Sequence, residues 1–303
     1  MKKIIFMGTP DYAEAILKEM IEIENFEIIA VFTQPDKPVG RKSILTPPPV
    51  KVLAEKYNIP IYQPNRLRDE ENIKIIEELK PHFIVVSAYG QILPKEILET
   101  APCINLHASL LPQYRGASPI QSSLLNNDKF TGVTAMLMNE GLDTGNILTY
   151  SVLEISDNEN LASLYEKLTV EASKLTVETI QNFHTIRSLP QSDLATSYSP
   201  KINKKDGEIE FLNAGEITSK FKAFYGWPTI FTPSGMKINE MELESENGTF
   251  QAGEILEFDK NSAVIGCEIG KIRVFQVQPK SKKQMKIFDF INGKRLKIGD
   301  ILS

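Results

Sequence analysis

The chain has 303 residues, 42% hydrophobic and 24% charged, with a formal net charge of -5. That composition belongs to a soluble globular protein with room for two domains, and no apolar run approaches the ~18 residues of a membrane span, so the expected location is the cytoplasm. Two distant cysteines, Cys103 and Cys267, and three histidines, His82, His107 and His184, have neither disulfide nor zinc spacing, so no structural metal is expected.

Residues 3–7 form an apolar run that ends in Gly8-Thr9-Pro10-Asp11, and a helical pattern follows through Ile16, Leu17 and Met20. This reads as the first strand, loop and helix of an α/β domain. Strand-like runs recur at 27–33, 83–88, 103–107, 132–138 and 147–155, with helical patterns at 50–57, 69–79, 119–125 and 160–183. Such alternation predicts a doubly wound, mostly parallel, Rossmann-like sheet. The first loop carries only Gly8 where a dinucleotide turn needs three glycines, so NAD is not expected.

Residues 190–206, rich in Ser, Thr, Pro and Lys, have no period and are read as a linker between a domain at 1–189 and one at 207–303. After it come a short helix at 214–223 and strand-like runs at 229–231, 237–243, 253–258, 262–267 and 271–277. Five short strands punctuated by glycines suggest a small OB-like β-barrel. Charge is uneven: residues 1–200 carry 18 Lys+Arg against 25 Asp+Glu, residues 201–303 carry 16 against 14. The cations Lys280, Lys282, Lys283, Lys286, Lys294, Arg295 and Lys297 face the single acid Asp289, a local patch suited to a nucleic acid or, equally, to a solvated surface.

The most informative stretch runs from Cys103 to Gly116, followed by Gly141-Leu142-Asp143-Thr144-Gly145. Asn105 and His107 are two apart on a strand and share a face, while Ile104 and Leu106 face the other way. Asp143 lies between two glycines that permit a tight turn and close approach to a ligand. An amide, an imidazole and a carboxylate, with no nucleophilic Ser or Cys among them, suit direct acyl transfer to an amine, in which an oxyanion is stabilised and a proton is moved.

Over almost its whole length the sequence resembles the methionyl-tRNA formyltransferases, a branch of the 10-formyltetrahydrofolate-dependent transferases. The likeness rests on Phe6-Met-Gly-Thr-Pro-Asp11, on the run from Val31 to Arg41, on Ala88-Tyr-Gly-Gln-Ile-Leu-Pro94, and on the 103–116 and 141–145 segments. Weaker landmarks are Tyr198-Ser-Pro-Lys-Ile202, Trp227-Pro228 and Pro279-Lys-Ser-Lys-Lys283. Ala108 stands where the family commonly has glycine, and the 41–45 insert is less basic than in some members. The catalytic signature is shared by all transferases using this donor, so the acceptor is implied by the 33–49 loop and the appended basic domain.

The resemblance implies formyl transfer from 10-formyltetrahydrofolate to the α-amine of methionyl initiator tRNA by a monomer that needs no membrane. Asn105 would donate to the developing oxyanion, His107 would support the tetrahedral intermediate, and Asp143 would orient His107 and accept the amine's proton. The bland alternatives are an Asn bonded to its own backbone, a satisfied core histidine and an Asx turn. Ser109, Leu110, Leu111 and Pro112, with Tyr89, Gly90, Gln91, Ile92 and Leu93, would line the pterin pocket; for Leu110, Leu111 and Ile92 ordinary packing fits as well. Arg41, Lys42, Lys280, Lys282 and Lys283 would contact tRNA, and Arg115 would either meet a phosphate, brace the site or pair with a surface carboxylate. Competing functions are formylation of a small nucleotide or sugar-nucleotide amine, and folate sensing by a non-catalytic RNA-binding protein.

Overall fold

The computed structural model describes residues 1–40 and 43–302. In chain order the elements are β1 (Lys2–Gly8), α1 (Asp11–Ile21), β2 (Phe26–Phe32), β3 (Lys37–Val39), β4 (Ile44–Thr46), α2 (Pro49–Lys56), β5 (Ile61–Tyr62), α3 (Glu70–Leu79), β6 (Phe83–Ser87), α4 (Lys95–Thr100), β7 (Cys103–His107) and β8 (Arg115–Gly116). There follow α5 (Pro119–Leu125), β9 (Phe130–Leu137), β10 (Ile147–Glu154), α6 (Leu161–Asn182), β11 (Tyr198–Ser199), α7 (Ala214–Ala223), β12 (Ile230–Phe231), β13 (Lys237–Ser245), β14 (Ile255–Phe258), β15 (Ala263–Gly266), β16 (Lys271–Gln278), β17 (Met285–Lys286) and α8 (Ile287–Lys294). Two compact units result: residues 1–119, 130–154 and 165–199 form the first, and residues 120–129, 155–164 and those from 200 onward the second.

The first unit is organised on a seven-stranded sheet of order β10-β9-β7-β6-β1-β2-β5. β5, β2, β1, β6 and β7 are parallel, while β9 and β10 add an antiparallel edge. Ile4 to Met7 and Phe83 to Ser87 are buried on both faces, which is why β1 and β6 read as unbroken apolar runs. Edge strand β10 instead alternates from Thr149 onward, after a register shift, with Tyr150, Val152 and Glu154 exposed and Thr149, Ser151 and Leu153 half-buried between them. Helix α1 buries Tyr12, Ala13, Ile16, Leu17 and Met20 on one stripe and carries Asp11 and Glu14 in its first turn, where acids suit the positive end of the helix dipole.

β2 and β6 flank β1 on opposite sides, so the sheet order reverses at β1/β6, where Gly8 pairs with Ser87. Such a reversal leaves a crevice beyond the carboxyl ends of the strands. β7 is the next strand out, and Asn105 pairs with Val86.

Several elements escaped the sequence pattern. The 33–49 loop contains the β3/β4 hairpin, and β5, β8, β11 and β17 are two residues each, too short to show a period. The segment expected as a linker at 190–206 is not a free connector: β11 pairs in parallel with β8, and residues up to 199 belong to the first unit. Helix α5, expected in the N-terminal domain, groups with the second unit. That unit carries an antiparallel sheet of order β12-β13-β16-β15-β14, with β17 on β16 and the additional helix α8 after it. In β16 the buried Ile272, Val274 and Val277 are separated by half-buried residues, whereas all four residues of β15 are buried.

Candidate active site

β7 ends on two polar residues facing one carboxylate. Ile104 and Leu106 are buried in packing, and Asn105 and His107 both reach Asp143. Asn105 Nδ2 lies 3.5 Å from Asp143 Oδ1, and His107 Nδ1 lies 3.6 Å from Asp143 Oδ2. The same Oδ2 accepts the Gly116 backbone N–H at 2.8 Å. His107 Nε2 lies 2.8 Å from the Tyr114 carbonyl oxygen. A carbonyl only accepts, so Nε2 carries a proton, and Nδ1 is the nitrogen that can exchange one with Asp143. At 7% and 14% side-chain exposure the imidazole and carboxylate are shielded from bulk water, which strengthens their interaction.

The loop between β9 and β10 presents Asp143. Its Asx turn is made by Asn139, whose Oδ1 accepts from Gly141 N at 3.1 Å and Thr144 Oγ1 at 2.8 Å, which leaves the Asp143 carboxylate for the site. The left-handed residue is Asp143 itself, with φ +51°, rather than either flanking glycine. Gly145 is needed for close approach: a Cβ there would lie 1.6 Å from the Leu137 carbonyl oxygen. At Gly116 φ is +119°, and a Cβ would come within 2.5 Å of the Ser199 carbonyl oxygen, so glycine lets β8 and β11 meet beside the carboxylate's N–H donor.

Around this cluster Ser109 is fully buried; its Oγ donates to Gln113 O and its carbonyl accepts from Thr134 Oγ1, both at 2.6 Å. Thr134 Oγ1 also accepts from Leu111 N at 3.0 Å, so Thr134 on β9 fixes the turn after His107. Leu111 is buried, Leu110 and Pro112 are half-buried, and Leu110 lies against Gly132. In the other candidate segment the side chains diverge. Tyr89 and Leu93 belong to the core, Gln91 is spent on Leu67 N at 2.7 Å and Pro64 O at 2.9 Å, and Ile92 is 86% exposed. Gly90 has φ +81°, and the Tyr89 carbonyl accepts from Thr9 Oγ1 and Gln34 Nε2, each at 3.2 Å. The side chains of Tyr89 and Leu93 therefore support this segment from below, and Ile92 is its free apolar group.

Arg115 has the contacts of two of the alternatives left by the sequence, a brace and a partner of a surface carboxylate. It is 4% exposed, donates to Gln191 Oε1 at 3.0 Å and 2.8 Å, and lies 3.8 Å from the exposed Asp193 carboxylate. Gln191, Tyr114, Gly116 and Thr134 were not legible as site residues: three act through backbone groups or second partners, and Gln191 lies in an aperiodic stretch. Lys280, Lys282 and Lys283 lie exposed between β16 and β17, none within ion-pair distance of a carboxylate among the described residues. Arg41 and Lys42 lie outside the described residues. Cys103 and Cys267 are buried, and burial pushes each thiol up to about 12, away from nucleophilic chemistry. Among the described residues no group of three or more His, Cys, Asp or Glu could hold a metal, and no helix is long and apolar enough to cross a membrane.

Residues 1–180 match the family model described as "Formyl transferase", and residues 201–295 match "Formyl transferase, C-terminal domain". The chain is 52% identical over 301 residues to a methionyl-tRNA formyltransferase of Sulfurimonas denitrificans, covering 99% of this chain and 100% of that one. It is 51% identical over 304 residues to the methionyl-tRNA formyltransferase of Campylobacter lari, covering 100% of both. Among solved structures, the sugar 3N-formyl transferase WlaRD, solved with dTDP and 5-N-formyl-THF, has a TM-score of 0.69 at 23% identity, covering 93% of this chain and 99% of that one. HypX from Aquifex aeolicus in complex with tetrahydrofolic acid has a TM-score of 0.61 at 14% identity, covering 100% of this chain and 50% of that one. At these identities the two structures share the fold.

Proposed function

The chain belongs to the methionyl-tRNA formyltransferase family, and on that premise we propose that Asn105, His107 and Asp143 carry formyl transfer from 10-formyltetrahydrofolate to the α-amino group of methionyl initiator tRNA. The observation that carries this reading is the convergence of an amide, at 3.5 Å, and an imidazole, at 3.6 Å, on the two oxygens of one shielded carboxylate.

The amine nitrogen attacks the formyl carbon, a C–N bond forms, and the carbonyl oxygen becomes an oxyanion. Asn105 Nδ2 donates to that oxygen as its charge grows, an interaction stronger in the transition state than in the ground state. Asp143 takes the proton that the amine must lose, and His107 shares it through Nδ1, since Nε2 is occupied by the Tyr114 carbonyl. Collapse breaks the bond from the formyl carbon to the donor nitrogen, which leaves as the protonated amine of tetrahydrofolate. The proton balance is internal to donor, acceptor and the Asp143–His107 pair.

Backbone groups of the Tyr89 to Ile92 turn and the Ser109 to Pro112 turn, beside the strand-order reversal, are the proposed pterin contacts, with exposed Ile92 against the ring face. Arg41 and Lys42 of the 33–49 loop, and Lys280, Lys282 and Lys283 of the second unit, are the proposed contacts to tRNA phosphates. On this reading the enzyme works in the cytoplasm as a monomer. The test is transfer of labelled formyl group from the folate donor to aminoacylated initiator and elongator tRNAs assayed side by side. Preference for the initiator supports the reading, and equal or absent transfer overturns it.

A further inference from the structure

Gln191 grips the catalytic loop by its main chain. Its Nε2 donates to the carbonyl oxygens of Asp143 and Gly145, both at 2.8 Å. Its Oε1 accepts from Arg115 Nε at 3.0 Å and Arg115 Nη2 at 2.8 Å. The orientation of the amide is fixed from both sides, because a guanidinium only donates and a carbonyl only accepts. Arg115 is 4% exposed, and it immediately precedes Gly116, whose N–H holds Asp143 Oδ2 at 2.8 Å. Asp143 is thus held at its carbonyl by Gln191 and at its carboxylate by Gly116, two groups tied together through Arg115. Its φ of +51° is a left-handed conformation that a residue with a side chain keeps only where its surroundings hold it.

We propose that Arg115 and Gln191 form a positioning unit for formyl transfer, setting the distance between the Asp143 carboxylate and the imidazole of His107. Neither side chain touches the reacting atoms; both act through Asp143. The inference rests on the catalytic reading of Asp143 given above. The chain is brought to the loop by the antiparallel bridge between Ile147 and Leu189, two residues from Gly145 and from Gln191 respectively, whose backbone hydrogen bonds measure 2.8 Å and 2.9 Å.

Two full-length variants separate positioning from mere structural support. Gln191→Glu keeps the length and the contact to Arg115 but turns an oxygen toward two carbonyls, whereas Gln191→Leu removes the donors without adding repulsion. For Gln191→Leu, kcat is expected to fall about tenfold, and further for Gln191→Glu, since small displacements of catalytic groups have effects of this order. KM for the formyl donor and for methionyl-tRNA stays within about twofold, because neither substrate is bound by this pair. The pH profile of kcat is displaced in both variants, because the spacing between carboxylate and imidazole has changed; loss of folded protein alone would leave its shape untouched.

Folded fraction is followed by thermal denaturation, and if Gln191→Glu does not fold, Gln191→Leu carries the test alone. Wild-type kcat in folded variants overturns the proposal, as does a loss that tracks the unfolded fraction at an unchanged pH profile. Asp143→Asn is assayed beside them. If it is inactive while the Gln191 variants are normal, only the positioning role fails; if it is fully active, the catalytic reading fails and the positioning role with it.

Discussion

The end of β7 and the loop between β16 and β17 represent two opposite uses of charge. At the first, the atoms of Asn105, His107 and Asp143 have partners at defined distances and little water around them. At the second, Lys280, Lys282 and Lys283 are exposed and have no carboxylate within ion-pair distance among the described residues. A shielded cluster acts through direction, so single atoms matter and salt does not reach it. An exposed cation cluster acts through summed field, so its members are nearly interchangeable and salt weakens them together.

The largest effects are therefore expected from single-atom changes in the shielded cluster. Asn105→Ala removes the proposed oxyanion donor and is expected to lower kcat by about 100 to 1000-fold. Asp143→Asn keeps an oxygen for the Gly116 N–H but cannot take the proton proposed to pass to it, and His107→Ala removes the group proposed to share that proton; each is expected to lower kcat by at least about 100-fold. Steady-state rates, with circular dichroism to show an intact fold, check all three. A variant that kept near-wild-type turnover would remove its residue from the chemistry and break the contrast between the two regions.

What could be read in advance follows the same division. β1, β6 and β7 were legible because strands buried on both faces leave continuous apolar runs, and because Asn105 and His107 interrupt such a run two residues apart at its end. The Gly-Leu-Asp-Thr-Gly loop was legible as a close approach, but its conformational detail was not: Gly145 is small for the Leu137 carbonyl, and Asp143 takes the left-handed φ. Gln191 was hidden because its function lies in a tertiary hydrogen-bond pattern with no period, and β8 and β11 because two-residue strands are defined only by each other. Tyr89 and Leu93 were assigned to the pterin pocket by the family resemblance of the 88–94 segment, which does not tell a backbone contact from a side-chain one, and their side chains lie in the core. Helix α8 was overlooked because its short apolar stripe, Ile287, Phe290 and Ile291, follows a run of lysines that dominated the local composition.

Intermediate effects belong to the exposed cations. Replacing Lys280, Lys282 and Lys283 together by Gln is expected to raise KM for methionyl-tRNA about tenfold near 0.1 M salt and to make log KM against log salt shallower by about 2 to 3, one increment per lost phosphate contact. kcat and KM for the folate donor are expected to stay unchanged. Single replacements should each give about a third of the change in slope, which sharpens the contrast with the catalytic cluster. Salt lines for wild type and triple variant that run parallel would take these lysines out of the tRNA interface.

The smallest effect concerns a charge that is accessible yet paired, between the two extremes. Asp36, in the loop after β2, accepts from Gln63 Nε2 at 2.8 Å and from Lys51 Nζ at 2.9 Å and 2.8 Å. The Gln63 amide first, and then Lys51, hold its carboxyl below the usual carboxylate range. A depressed folded value means that the ionised form favours the folded state: the contribution is complete above the ordinary carboxylate value of about 3.9 and is lost as pH falls through the lower folded value. Asp36→Asn should accordingly lower Tm by about 1 °C at pH 7, with the difference from wild type closing as pH drops below about 4, a magnitude set by screening of an accessible pair. Calorimetry at the two pH values reads this directly. An equal difference at both would show that Asp36 acts through its shape and neutral hydrogen bonds, and would place it with the directional groups of the catalytic cluster rather than with the field of the exposed lysines.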